Sequence, residues 1–165
     1  MLVAIISDIH DNLVTLKTCL DWCLKKEIQK LIICGDITTL ETITYLTRAF
    51  TGEIFVVAGN AEIYEEEKLT KFKNLKYFGA IGVFSIAEVN IGLCHEPVKI
   101  KKVQAAATAP LDFIFYGHSH KPWIEKENGT YIVNPGNLAG DINPATFAVL
   151  DTTDKRISLK ILSQL

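Results

Sequence analysis

The chain contains four histidines, and each stands just beyond a strand-like apolar run. His10 closes Ser7-Asp8-Ile9-His10, His95 ends IGLCH, and His118 and His120 end FYGHSH. Two further apolar runs end in Gly35-Asp36 and Gly59-Asn60. Singly, each is ordinary: D-x-H arises by chance, Gly-Asp and Gly-Asn are common turn pairs, and an isolated histidine is more often satisfied than ligating. Together, Asp8, His10, Asp36, Asn60, His95, His118 and His120 offer two carboxylates, one amide oxygen and four imidazoles. Imidazole with carboxylate suits zinc, manganese, iron, nickel or cobalt. The set exceeds one tetrahedral site and fits two ions if one carboxylate bridges. Two divalent ions against two carboxylates leave a positive centre, which a bridging hydroxide reduces but does not cancel. Such a centre attracts phosphate oxygen, lowers the pKa of its water and stabilises an in-line displacement. H-x-H at a strand end splays two imidazoles toward one space.

Positioning these groups requires that distant strand ends converge. LVAIIS (2–7) is a continuous β-branched run that suits a strand covered on both faces. DNLVTLKTCLDWCLKK reads as a helix, with Leu13, Leu16, Leu20, Cys23 and Leu24 at helical spacing and Asn12 as its cap. LIIC (31–34) is a second strand, and 39–50 a second helix with Leu40, Ile43, Leu46 and Phe50 on one side. IFVVA (54–58) is a third strand. This β-α-β-α-β order calls for parallel strands with helical crossovers. In open α/β sheets, ligand sites form beyond the carboxyl ends of such strands. The second half reads as consecutive strands (KYFG, VFSIAEV, IGLCH), a short helix over 99–107 and the strand DFIFYG. A hairpin follows at Asn128-Gly129, and a last hairpin turns around Thr153–Lys155. The sum is α/β: two packed sheets with helices outside, without repeat or linker.

Composition narrows the function classes. A length of 165 residues fits one domain, 1–165, and 48% apolar residues suffice for a sizeable core. Seventeen basic and nineteen acidic residues, with no basic run beyond two, give no nucleic-acid footprint. No run approaches the roughly 18 apolar residues of a membrane span, and the N-terminus reads as a strand, not a signal peptide. A cytoplasmic protein is expected. Cys19, Cys23, Cys34 and Cys94 form no CxxC and read as buried reduced thiols. An exposed edge strand from the second half could pair two copies into a homo-oligomer.

In their order, Asp8-x-His10, Gly35-Asp36, Gly59-Asn60, His95 and Gly117-His118-Ser119-His120 resemble the calcineurin-like metallophosphoesterase signature. The short length, and Asn134-Pro135-Gly136-Asn137, resemble the small prokaryotic phosphodiesterase branch of that family. The resemblance covers essentially the whole chain. It implies a four-layer α/β/β/α sandwich of two mixed sheets flanked by helices. By matching position, it implies that Asp8, His10, Asp36 and His120 hold one metal. Asp36, Asn60, His95 and His118 would hold the other, with Asp36 bridging. It implies two divalent cations, manganese first and nickel, iron, zinc or cobalt next, with a metal-bridging hydroxide as nucleophile. The substrate would be a small phosphate ester, hydrolysed as a diester. The second reading is a protein-binding scaffold with weak or no catalysis, as in the retromer subunit that resembles these enzymes; the filled donor positions argue against it. A nuclease would need a groove that neither length nor charge supports.

Three positions depart from the family pattern. Ala61 follows Gly59-Asn60 where a histidine or cysteine is usual, removing a group that could protonate a leaving oxygen. Asp11 and Glu96 replace glycines. As acids beside the pocket they would repel a phosphate dianion more than a diester monoanion. Alternatively, Asp11 caps the following helix and Glu96, held by Pro97, points to solvent. Tyr64 reads as pocket rim or surface packing, Trp22 and Trp123 as packing, and Glu65–Lys68 as a solvated helix face. The backbone of 134–137 is expected to make a tight turn near the site and to orient a histidine.

Overall fold

The structure, a computed structural model, describes residues 1–165. The first half alternates β1 (Leu2–Ile6), α1 (Leu13–Lys25), β2 (Lys30–Ile33), α2 (Leu40–Ala49) and β3 (Glu53–Val56). A 3₁₀ segment at Glu66–Lys71 leads to β4 (Leu75–Tyr77), β5 (Ile81–Ile86) and β6 (Val89–Cys94). A 3₁₀ turn at Pro97–Lys99 runs into α3 (Ile100–Ala106). Then come β7 (Phe113–Phe115), β8 (Trp123–Glu127), β9 (Thr130–Asn134), β10 (Thr146–Asp151) and β11 (Arg156–Ile161).

The strands form two mixed sheets, ordered β11-β10-β1-β2-β3-β4 and β5-β6-β7-β9-β8. In the first, β1 to β4 are parallel, β10 pairs antiparallel with β1, and β11 pairs antiparallel with β10. In the second, β6, β7 and β9 are parallel, with antiparallel β5 and β8 at the edges. Alternation along β1 divides the core. Val3 and Ile5 join Ile32, Phe55, Ile91, Leu93, Phe113 and Phe115 between the sheets. Ala4 and Ile6 face the other way, against Leu16, Cys19, Leu20, Ile43 and Leu46 of α1 and α2. A smaller cluster of Cys94, Val103 and Ile114 seats α3 on the far side. The layers therefore run α/β/β/α, as the resemblance implies.

Local chemistry explains the boundaries. Asn12 Oδ1 accepts the Val14 and Thr15 amides, both at 3.2 Å, and starts α1. The expected single strand VFSIAEV breaks instead at Ala87-Glu88. Both residues have positive φ, 46° and 64°, as a two-residue hairpin turn demands, and Ile86 pairs with Val89. The buried stripe of α1 is Leu16, Cys19, Leu20 and Cys23, spaced i, i+3, i+4, i+7. Leu13 and Leu24, expected on that face, are 44% and 75% exposed. All four cysteines are free and buried, and burial pushes the Cys94 thiol up to about 12. Trp22 packs edge-on against Phe147, whereas Trp123, expected as packing, is 47% exposed on edge strand β8.

The revised helix face is tested by two truncations. Leu16→Ala leaves a cavity under α1 and should cost about 3 kcal/mol, whereas Leu24→Ala should change stability by less than about 0.5 kcal/mol. Urea denaturation measures both, and equal losses would contradict the assigned face.

Candidate metal centre

The carboxyl ends of β1, β2 and β3 release Asp8, Asp36 and Asn60 from one sheet. Those of β6 and β7 release His95 and His118 from the other. Backbone bonds lash these exits together. Asp8 N–H donates to Gly35 O at 3.1 Å, and Ile9 and His10 N–H share Asp36 O at 2.8 and 3.1 Å. Gly117 N–H donates to His95 O at 2.9 Å, and Ala139 N–H to Asp8 O at 3.0 Å. The glycines mark where backbone and donor side chains touch. A Cβ at Gly59 would stand 2.0 Å from Asp36 Oδ1, and one at Gly117 2.8 Å from Asp8 Oδ2. Asp8, His10, Asp36, His118 and His120 all adopt left-handed backbone, with φ between 45° and 68°. Asp and His are among the residue types that tolerate this region.

The side chains meet at close range. His120 Nε2 lies 3.2 Å from His10 Nε2 and 3.3 Å from Asp8 Oδ1. His95 Nε2 lies 3.3 Å from Asp36 Oδ2 and 2.8 Å from Asn60 Oδ1. His118 Nδ1 also lies 2.8 Å from Asn60 Oδ1. Asp36 links the halves: Oδ1 accepts the Asn60 and Ala61 amides at 2.8 and 2.9 Å. Its Oδ2, 3.3 Å from His95, is also 3.7 Å from His10 Nε2. All seven donors read from the sequence are thus within one constellation. Two groups have ligand atoms mutually within 4.8 Å: Asp8, His10, His120 and Asp8, Asp36, His95.

The donor set fits cations. Asp8 and Asp36 are 0% and 2% exposed, and neither pairs with a lysine or arginine. Buried carboxylates without a cationic partner are costly. Burial raises the Asp8 carboxyl above its ordinary range. Burial also works to raise Asp36, but hydrogen bonds from His95 and the Ala61 amide, with nearby imidazoles, bring it to about 2. Burial lowers His95, yet its bond to Asp36 and the two carboxylates raise it overall. His95 Nδ1 lies 2.7 Å from Cys34 O, which can only accept, so Nδ1–H donates there and the ring is held with Nε2 facing Asn60 and Asp36.

Several supporting residues escaped the sequence reading. Asn137 Nδ2 approaches His120 Nδ1 at 3.2 Å and donates to Asp141 Oδ1 at 2.8 Å. Orientation of that histidine thus comes from a side chain, not from the 134–137 backbone as expected. Asn134 Nδ2 donates to Gly117 O and Ser119 Oγ at 2.9 and 3.0 Å, holding the loop of His118 and His120. The Asn-Pro-Gly-Asn stretch signalled a turn but not these partners. Asp11 does not cap α1; its Oδ1 accepts from Thr39 N–H, Thr39 Oγ and Thr42 Oγ, bracing the start of α2. Glu96 pairs with Lys99, which holds its carboxyl below the usual range; the imidazoles of His118 and His95 add to that. Tyr64 packs on the helix side of the core with its hydroxyl buried. Glu62 accepts the Gly59, Ile37 and Thr38 amides, a role invisible in the sequence.

Comparisons with known proteins agree with the fold. The phosphodiesterase MJ0936 of Methanocaldococcus jannaschii is 25% identical over 160 residues, covering 94% of this chain and 95% of its own. The solved structure of an archaeal phosphodiesterase superposes with a TM-score of 0.86 at 22% identity, over 98% of this chain and 99% of that one. Zinc-bound Vps29 from Entamoeba histolytica gives a TM-score of 0.70 at 22% identity, covering 97% and 96%. A sequence model of the calcineurin-like phosphoesterase superfamily domain matches residues 1–155. The chain belongs to the calcineurin-like phosphoesterase superfamily.

Proposed function

We propose that the chain is a two-metal phosphoesterase that hydrolyses small phosphate diesters, with residues 1–165 acting as one cytoplasmic domain. The observation that carries this reading is the convergence of two buried aspartates from one sheet with histidines from both sheets, His118 joining through Asn60. Asp8, His10, Asp36 and His120 would hold one ion, and Asp36, Asn60, His95 and His118 the other. Manganese is the expected occupant. Bound ions would neutralise phosphate oxygens and lower the pKa of water.

The chain's own groups determine which ester suits it. Asp36 Oδ2 faces a histidine of each half, which suits a shared ligand. Ala61 cannot donate a proton to a leaving oxygen, so esters whose alcohols leave without one should be favoured. Glu96 is paired with Lys99 and so brings little net negative charge to the site. The M. jannaschii relative, named a phosphodiesterase, supports the same choice.

With manganese added, the protein should hydrolyse bis-nitrophenyl phosphate faster than nitrophenyl phosphate; a clear preference for the monoester would overturn the diester assignment. Ala61→His should raise turnover of alkyl monoesters, whose leaving alkoxide needs a proton, and no gain would show that leaving-group protonation is not limiting. Asn137→Ala removes the side chain against His120 and should lower metal affinity or turnover about 10–100-fold. Calorimetric metal titration alongside rate measurement separates the two.

A further inference from the structure

Two carboxylates reach in opposite directions between the loops that follow β2 and β3. Asp36 reaches into the second loop and takes the Asn60 and Ala61 amides on Oδ1. Glu62 reaches back into the first: Oε2 accepts Thr38 N–H at 2.9 Å and Oε1 accepts Ile37 N–H at 3.4 Å. Oε1 also accepts Gly59 N–H at 3.1 Å, closing its own turn. The loops are therefore clasped by a reciprocal pair of acids, with backbone donors on both sides.

Thr38 shows that this clasp holds the chain away from its relaxed shape. Its φ is +87°, a region that β-branched residues avoid. Its hydroxyl is buried without a partner, so the side chain gives no reason for that conformation. The contacts that hold it are in the backbone: N–H to Glu62 Oε2, and C=O accepting from Ile63 N–H at 3.0 Å. Asp36 lies two residues before Thr38, and Asn60 two residues before Glu62.

We propose that Glu62 is a positioning residue for the Asn60–His95–His118 half of the site, setting the gap between the loops and thereby aiming Asn60 Oδ1. The proposal rests on the two-metal reading above. Without the carboxylate, three amides lose their acceptor, Thr38 is free to relax, and Asn60 drifts from Asp36, whose own carbonyl is still held by the Ile9 and His10 amides. The Asp8–His10–His120 group makes no hydrogen bond to Glu62. The loss should therefore fall on one half of the centre, which a general destabilisation would not produce.

Manganese titration of metal-stripped protein by calorimetry, with electron paramagnetic resonance of the loaded protein, tests this. Wild type should bind two ions per chain and show the signal of a coupled pair. Glu62→Ala should lose about 10–100-fold in affinity at one of the two sites, keep the other and show an uncoupled manganese signal. Glu62→Gln keeps one oxygen and should fall between; if the alanine variant does not fold, the glutamine variant decides alone. Thr38→Gly removes the strained side chain, so E62A/T38G should recover part of the lost affinity, a non-additive result. Unchanged binding of both ions, or equal weakening of both, would overturn the role of Glu62. Fewer than two ions in wild type would instead overturn the two-metal reading, and the proposal with it.

Discussion

One oxygen of Asp36 is held by two backbone amides while the other faces His10 and His95. The divided carboxylate orients the donor set, because a side chain free to rotate would let neither half keep its spacing. The amides come from the Gly59-Asn60-Ala61 turn, and that turn can come so close only because Gly59 has no side chain. His95 is fixed from behind by Cys34 O, His120 by Asn137, and the His118 loop by Asn134. Asp36, His95, His120 and the His118 loop thus each have a partner that orients them. Such outer contacts usually shape a metal site as much as the ligands do.

The cost of the arrangement is visible in the backbone. Five donors sit in left-handed conformation, and two carboxylates are buried without lysine or arginine. Strain of this kind persists only where the surroundings over-determine it. Here the surroundings are the parallel strand ends, whose hydrogen-bonded register fixes where each loop begins.

Much of this was legible in the sequence because the signals were local. Continuous β-branched runs gave the buried strands, Asn128-Gly129 gave a hairpin turn, and Asn12 gave the α1 cap. The donors were legible because each follows an apolar run, and in parallel sheets those ends share an edge. What stayed hidden depends on partners far apart in the chain. Asp11 looked like a cap for the next helix and instead braces α2, because Thr39 and Thr42 come within reach only after β2 is laid beside β1. Leu13 and Leu24 fitted a helical stripe, but where α1 sits on the sheet decides which side is covered. Ala87-Glu88 carries no glycine or asparagine to announce its turn, so VFSIAEV reads as a strand running through it and the turn to IGLCH is placed about two residues late.

Asp8, Asp36 and Asn60 leave one sheet, and His95, His118 and His120 leave the other, with the apolar layer of Phe55, Phe113 and Phe115 between. Ions gripped from both sides would act as a rivet across the sandwich as well as a reaction centre. Because a ligand that binds only the folded chain shifts the folding balance by mass action, trace-metal supply would govern how much of this protein survives heat or proteases. Starvation for metal would then reduce its abundance as well as its rate.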